Sequence, residues 1–129
     1  MPISGFNHYN LRANRATLDS LRDFYVSVVG LMPGHRPPFN NFGYWLYVGP
    51  NAVLHLTEAR PDEDRPAGVA NTFDHVAFAS THFAEFEQHL QRLDIVYRTS
   101  HVPLTGQRQI FFRDPAGNGV ELNFADDEH

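Results

Sequence analysis

Four side chains have the chemistry and the spacing to hold a metal ion. They are three histidines and one glutamate: His8, His55, His75 and Glu121. His8 and His55 are 47 residues apart, and His75 and Glu121 are 46 apart. Imidazole and carboxylate groups suit divalent Zn, Ni, Fe, Mn or Co, and the chain has no cysteine to offer thiolate ligands. The pattern predicts one divalent metal ion per site.

The sequence around these residues also repeats. Residues 6–9 align with residues 73–76 at an offset of 67, and residues 54–56 align with residues 120–122 at an offset of 66. A short internal repeat indicates two copies of one structural unit. Each half would then supply one ligand from its first strand and one from its last.

Apolar periodicity predicts a βαβββ order for the first half. We expect strands over residues 3–13, 42–48 and 52–58. A helix whose apolar stripe runs from Leu18 to Val29 would begin after Asn14 as its N-cap and end at Gly30. Prolines exclude helix in the segment that follows.

The second half repeats that order after a polar linker. We assign module one to residues 3–58, the linker to 59–71 and module two to 72–125, within one domain over 1–129. Asp62, Glu63 and Asp64 are expected to be solvated in the linker. Module two would contain strands at 73–80, 95–99, 107–113 and 119–124, a helix with its apolar stripe at Phe83, Phe86, Leu90 and Leu93, and a turn at 114–118. In both modules the ligand residues alternate out of phase with the apolar ones, so they face away from the helices.

Composition limits the classes of function. A chain of 129 residues is one domain in size, and its net charge of -5, with arginine as the only basic side chain besides histidine, argues against a nucleic-acid partner. No segment is apolar enough to span a membrane, and none has the pattern of a signal peptide. We expect a cytoplasmic protein with no membrane partner.

Two motifs resemble those of the vicinal oxygen chelate superfamily, which includes glyoxalase I, bleomycin resistance proteins and extradiol dioxygenases. The first is Phe24-Tyr25 followed by Gly30-Leu31, and the second runs from Phe112 through Asp114-Pro115-Ala116-Gly117-Asn118 to Glu121-Leu122. The resemblance implies an α+β fold in which two βαβββ modules form a cup-shaped mixed sheet. It also implies that His8, His55, His75 and Glu121 match the family's four metal-ligand positions.

The activity implied by the resemblance is that of a glyoxalase-like lyase or isomerase. Such an enzyme binds a small oxygenated substrate through neighbouring oxygens and moves a proton next to a carbonyl, with Glu121 as the base. Arg12 matches an arginine that holds the glutathione carboxylate in glyoxalase I, so glutathione or another thiol is an expected cosubstrate. Tyr44 and Phe111 are predicted to line the substrate site.

Two alternative functions remain open. His8, His75 and Glu121 would supply the facial triad of an Fe(II) extradiol dioxygenase, although Phe111 stands near the position where that family usually has tyrosine. An antibiotic-binding resistance protein without catalysis is the other alternative, and such proteins typically lack the metal ligands. The fosfomycin transferases are disfavoured, because they use a lysine and this chain has none.

The same resemblance predicts a homodimer that binds a small molecule. Each module contributes only two ligands, so a complete site needs two modules edge to edge. In short members of the superfamily, the first module of one chain commonly pairs with the second module of its twin. That arrangement gives two identical sites by two-fold symmetry and covers open sheet edges.

Overall fold

The computed structural model describes residues 4–66, 73–102 and 105–125. Contacts within the chain divide it into two compact units, Met1–Ala67 and Gly68–His129. Each unit contains one four-stranded sheet and one α-helix in the order βαβββ. The predicted α+β class with two βαβββ modules is therefore confirmed.

The first unit is built around a mixed sheet. Its elements are strand β1 (Tyr9–Ala13), helix α1 (Arg15–Phe24), and strands β2 (Met32–Gly34), β3 (Gly43–Val48) and β4 (Asn51–Glu58). The sheet order is β1-β4-β3-β2, with β1 parallel to β4 and the other pairs antiparallel. The first strand of the module is thus an edge strand of the sheet and lies beside the last strand, β4.

The helical segment made of α1 and the π-helical turn after it begins and ends where the sequence predicts. The Asn14 side chain accepts a hydrogen bond from the Thr17 N–H at 2.9 Å, as an N-cap should. The helix then continues as a π-helical turn over Tyr25–Val29. It ends at Gly30, whose φ of 93° lies in the left-handed region. The backbone N–H groups of Gly30 and Leu31 both donate to the Tyr25 carbonyl. The apolar stripe predicts the helix but not its π-helical end.

The second unit has the same topology. It contains strand β5 (His75–Ser80), helix α2 (Phe83–Arg92), and strands β6 (Arg98–His101), β7 (Arg108–Arg113) and β8 (Gly119–Phe124). The sheet order is β5-β8-β7-β6, and β5 is parallel to β8. The Asp114 carboxylate shapes the turn before β8, because it accepts hydrogen bonds from Ala116 N, Asn118 N and Asn118 Nδ2 at 2.9–3.0 Å.

Each unit packs its helix on one face of its own sheet. In the first unit, Leu18, Leu21 and Tyr25 are buried with the sheet residues Leu46, Leu54 and Leu56. In the second, the Phe83 ring meets the Phe124 ring edge to face at 5.2 Å, above buried Ile110 and Leu122. The opposite face of each sheet carries the polar side chains, as the alternation predicts.

Several predicted boundaries are wrong. Strand β1 begins at Tyr9, whereas the prediction began at residue 3, which lies outside the described residues. Strand β5 begins at His75, and β6 spans Arg98–His101 in place of 95–99. The three-residue strand β2 completes the βαβββ order of the first unit, but no position was predicted for it. Leu93 caps α2 and is 42% exposed, so it does not extend the buried stripe.

No helix in the described ranges has the length and apolar character needed to cross a lipid bilayer.

Candidate metal site and its surroundings

Strand register places the predicted ligands of the second unit on one face. Glu121 pairs with Ala77 on β5 and with Phe111 on β7, and His75 pairs with Gly119, two residues before Glu121. Residues two apart on a strand share a face, so His75 and Glu121 are diagonal neighbours. Their side chains meet, with His75 Nε2 3.4 Å from Glu121 Oε1.

The His75 ring is oriented by its neighbour Asp74. The Nδ1–H of His75 donates to Asp74 Oδ2 at 2.8 Å, and this hydrogen bond lowers the pKa of Asp74. When the ring carries its proton on Nδ1 alone, the lone pair of Nε2 is on the side of the Glu121 carboxylate, where an ion would lie between the two groups. A carboxylate that orients an imidazole in this way is the usual second partner of a metal-binding histidine.

Glu121 is buried, and two amides hold one of its oxygens. Gln109 Nε2 and Asn123 Nδ2 donate to Oε2 at 3.2 and 2.7 Å. Because both amides act on Oε2, the other oxygen, Oε1, is left facing His75. A buried carboxylate in this arrangement presents one defined oxygen for binding or for proton transfer.

The predicted ligands of the first unit also meet, but in a stack. The His8 and His55 ring centroids are 3.7 Å apart at 15°, and the Trp45 ring covers the other side of His55 at 4.0 Å. His8 is exposed and its Nδ1 lies 2.7 Å from the Asn7 side-chain oxygen. The three rings form an aromatic wall on the sheet face opposite α1.

His55 is held in its neutral form. Partial burial, and then the nearby His8, lower the pKa of His55. Its Nε2–H donates to the Ala52 carbonyl at 3.1 Å, which leaves Nδ1 as the nitrogen with a lone pair. Neutral imidazole is the form that binds metals.

The donor set fits a divalent ion, with one adjustment. Two ligands bound at ~2.1 Å to one tetrahedral ion lie about 3.4 Å apart, which is the separation of His75 Nε2 and Glu121 Oε1. The lone pairs of two parallel stacked rings run parallel, so His8 and His55 share an ion only after one ring turns. His8 is exposed and has room to turn. Within the described residues, no three His, Asp or Glu side chains are arranged to hold a metal ion together, and the predicted ligands lie in two pairs, one per unit.

Tyr44 lies on the helix side of its sheet, opposite the face that carries these ligands. It pairs with Leu56, and its hydroxyl donates to Asp19 and accepts from Arg22 on α1, at 2.7 and 2.8 Å. Burial and the bond to Asp19 raise the pKa of Tyr44. The prediction that Tyr44 lines the substrate site is therefore wrong, because this residue packs on the helix side.

The aromatic residue beside His55 is Trp45, and the repeat could have located it. Trp45 pairs with His55 across β3 and β4, as Phe111 pairs with Glu121 across β7 and β8. The offset of 66 that relates His55 to Glu121 also relates Trp45 to Phe111. The same offset matches Tyr44 to Ile110, which is fully buried.

Phe111 lies on the same sheet face as Glu121. It is level with Glu121 on the ligand face, and the Arg98 guanidinium carbon lies 4.2 Å from its ring centroid. A cleft of about 640 Å³ opens at this end of the sheet and includes His75, Arg98 and Phe111 in its lining. Phe111 as a substrate residue stays a prediction.

Arg12 lies on the ligand face of the first unit, but it is bound to Glu63. The Arg12 Nε donates to both Glu63 oxygens at 3.0 and 2.9 Å, and Nη2 pairs with Oε1. Glu63 is only 12% exposed and also bonds Arg65, so the prediction that it is solvated is wrong. The predicted linker residues 67–71 lie outside the described part of the chain.

Two βαβββ modules, each with two ligand-type residues on the sheet face opposite its helix, define the vicinal oxygen chelate class of fold. The chain belongs to the Glyoxalase/Bleomycin resistance protein/Dioxygenase superfamily, whose sequence model matches residues 5–122. Relatives in this superfamily typically bind a divalent metal, form dimers and take small-molecule substrates.

Individual relatives agree with this assignment. Arabidopsis thaliana "Glyoxylase I 4" is 31% identical over 125 residues, covering 93% of this chain and 70% of that protein. A lactoylglutathione lyase from Agrobacterium tumefaciens is 24% identical with a TM-score of 0.70, covering 98% of this chain and 97% of that one. The fosfomycin resistance protein FosX from Listeria monocytogenes is 16% identical with a TM-score of 0.68, covering 95% and 94%. At these identities the two solved structures show the fold alone.

Proposed function

We propose that this protein is a metal-dependent lyase or isomerase of the glyoxalase type. His8, His55, His75 and Glu121 would hold one divalent ion, and the substrate would be a small molecule with neighbouring oxygen atoms. When bound, the ion supplies Lewis acidity to a substrate carbonyl. Glu121 takes the proton from the adjacent carbon and returns it to a neighbouring atom.

The arrangement of Glu121 is the observation that carries the proposal. A general base needs one oxygen in a fixed direction, and the Gln109 and Asn123 amides provide that by holding Oε2. Burial of the carboxylate keeps competing water away from it. On the other unit, the stacked Trp45, His55 and His8 rings would present their edges to an unsaturated substrate.

A thiol cosubstrate is part of the same proposal. Glutathione would meet Arg12 through a carboxylate, which then replaces Glu63 as the partner of that guanidinium. Arg12 would therefore keep a carboxylate partner when glutathione binds. We also propose a cytoplasmic location and a homodimer, in keeping with the family's typical assembly.

The test is turnover with defined metals. Metal-free protein is loaded with Zn, Ni, Mn, Co or Fe(II) and assayed with the hemithioacetal of methylglyoxal and glutathione. We expect turnover with at least one ion, and a loss of ~10²-fold or more in Glu121→Gln, as for removal of a general base. His101→Gln, a change at an exposed histidine on β6, is the matched control. Protein that is verified to carry each of these ions in turn and turns over the hemithioacetal with none of them would contradict the proposal.

An Fe(II) dioxygenase is the second candidate, and the state of His55 favours it. The His55 Nε2 is bound to the Ala52 carbonyl and its ring is stacked between two others. His8, His75 and Glu121 alone would make a facial triad. Oxygen uptake with catechol by the Fe(II)-loaded protein, unchanged in His55→Ala, would support this candidate over the lyase. Absence of uptake with Fe(II) bound would remove it.

A further inference from the structure

Arg98 places a positive charge on the ligand face of the second unit. It pairs with Phe111 in the sheet, and Phe111 pairs with Glu121, so the three side chains lie in a row across β6, β7 and β8. The guanidinium carbon is 4.2 Å from the centre of the Phe111 ring. This cation–π contact fixes the group over the ring and leaves its N–H edge available for hydrogen bonds.

The charge of Arg98 is not neutralised by the part of the chain that the structure describes. Five other arginines there form ion pairs with carboxylates: Arg12, Arg15, Arg22, Arg60 and Arg65. No described carboxylate oxygen lies within the 4.0 Å ion-pair distance of Arg98. An exposed cation that stacks on Phe111 and forms no ion pair within the described residues is suited to bind an anionic ligand.

The cleft next to Arg98 has the size and lining for a small organic anion. Its volume is about 640 Å³, and small-molecule sites are commonly ~300–1,000 Å³. Apolar side chains contribute much of the lining, which includes Ile95, Val96, Tyr97 and Phe111. Asp74 and Asp94 also line the cleft, so a ligand with two negative charges would be repelled more strongly than one with a single charge.

We propose that Arg98 binds the carboxylate of the substrate, and that this site takes monocarboxylates with an apolar group. The planar guanidinium would bind both carboxylate oxygens, and Phe111 would pack against the apolar group. This inference deepens the proposed function and rests on it only in calling the ligand a substrate. The carboxylate preference itself belongs to the second unit and requires no metal.

The test compares benzoate with benzamide in the metal-free protein. The two probes have nearly the same shape and differ in charge, so their affinities, measured by chemical-shift titration, isolate the contribution of a cation. We expect benzoate to bind about ten-fold more tightly, as one charge-assisted hydrogen-bond pair provides. In Arg98→Met, which keeps an apolar stem over Phe111, this preference should disappear.

Two matched variants make the result specific. Arg92→Met changes an exposed arginine on α2 that does not line the cleft, and it should keep the preference. Arg113→Met changes the other arginine of the cleft, whose Nη1 donates to the Gly117 carbonyl, and it should also keep it. Shift changes should map to residues 95–98 and 111–113. Equal affinity for the two probes, no binding of either, or loss of the preference in Arg113→Met instead of Arg98→Met would overturn the proposal. Since no metal is present, failure of the lyase activity leaves this result unaffected.

Discussion

Three arginine side chains surround the carboxylate of Glu63. Hydrogen bonds from Arg12, then from the Arg60 backbone, and then from Arg65 hold the pKa of Glu63 far below its usual range. A carboxylate with a lowered pKa in the folded state stabilises the fold above its ordinary pKa and loses that effect as pH falls. Glu63 therefore ties the segment after β4 to the ligand face of β1 at neutral pH.

We predict that Glu63→Gln lowers the melting temperature at pH 7 and that this difference shrinks between about pH 5 and 3, where an ordinary glutamate takes up a proton. Thermal denaturation followed by circular dichroism across that range gives the measurement. Asp64→Asn removes an exposed carboxylate next to it and should have little effect. A Glu63→Gln deficit that stays constant down to pH 3 would show that charge is not the cause.

The residues of the site differ in how far the sequence reveals them. His75 and Glu121 are predictable, because the repeat marks them and the strand register then brings them together. Trp45 could have been predicted from the same offset. Alternation alone does not identify it, because it does not say which face of β3 packs in the core. The contact of Glu63 could not be predicted, since its partner Arg12 is 51 residues away and no local pattern links them.

Among the secondary-structure elements, the turn before β8 matters most for the site, since β8 carries Glu121. Asp114 is buried and organises this turn through three hydrogen bonds. We predict that Asp114→Ala lowers the free energy of unfolding by ~1–3 kcal/mol or more, because the two N–H groups of the turn lose their acceptor. Urea denaturation measures it.

Asp114→Asn is the conservative partner of that variant. It keeps an acceptor for Ala116 N and Asn118 N and loses the bond from Asn118 Nδ2. It should therefore be less destabilised than Asp114→Ala. Equal losses in the two variants would mean that the carboxylate charge, rather than the shape of the turn, stabilises this element.

The elements that were not predicted from the sequence are those without a strong local pattern. Strand β2 has only three residues, and Pro33 lies within it. A proline is acceptable there because β2 is at the edge of its sheet, but the same residue argues against a strand when only the sequence is read. The π-helical turn at Tyr25–Val29 likewise depends on how Tyr25 is buried, which periodicity does not report.

For the whole molecule, the central expectation is a homodimer with shared sites. Each unit would supply two of the four predicted ligands, and each four-stranded sheet has two edge strands of its own. Large apolar side chains are exposed as well, among them Phe6 at 78% and Val96 at 91%. Open edges and exposed apolar groups are both features that association covers.

We predict that two damaged variants restore each other. His8→Ala and Glu121→Ala are unfolded together, refolded and compared with each variant alone. If the first module of one chain pairs with the second module of its twin, a heterodimer contains one intact and one doubly damaged site. Random mixing then restores about a quarter of the sites. Verified heterodimers with no recovery of metal content, or a monomer in sedimentation at micromolar concentration, would contradict the shared site.

Metal stoichiometry in single variants is the most direct test of the proposed metal site. Protein purified without an affinity metal is reconstituted with excess Zn, freed of unbound ion and measured by elemental analysis. We predict about one ion per chain in the wild type and in the control His101→Ala. His8→Ala, His75→Ala and Glu121→Ala should each retain far less, with circular dichroism confirming that they are folded. Near-full metal content in all three variants would contradict the proposal that these residues form the metal site.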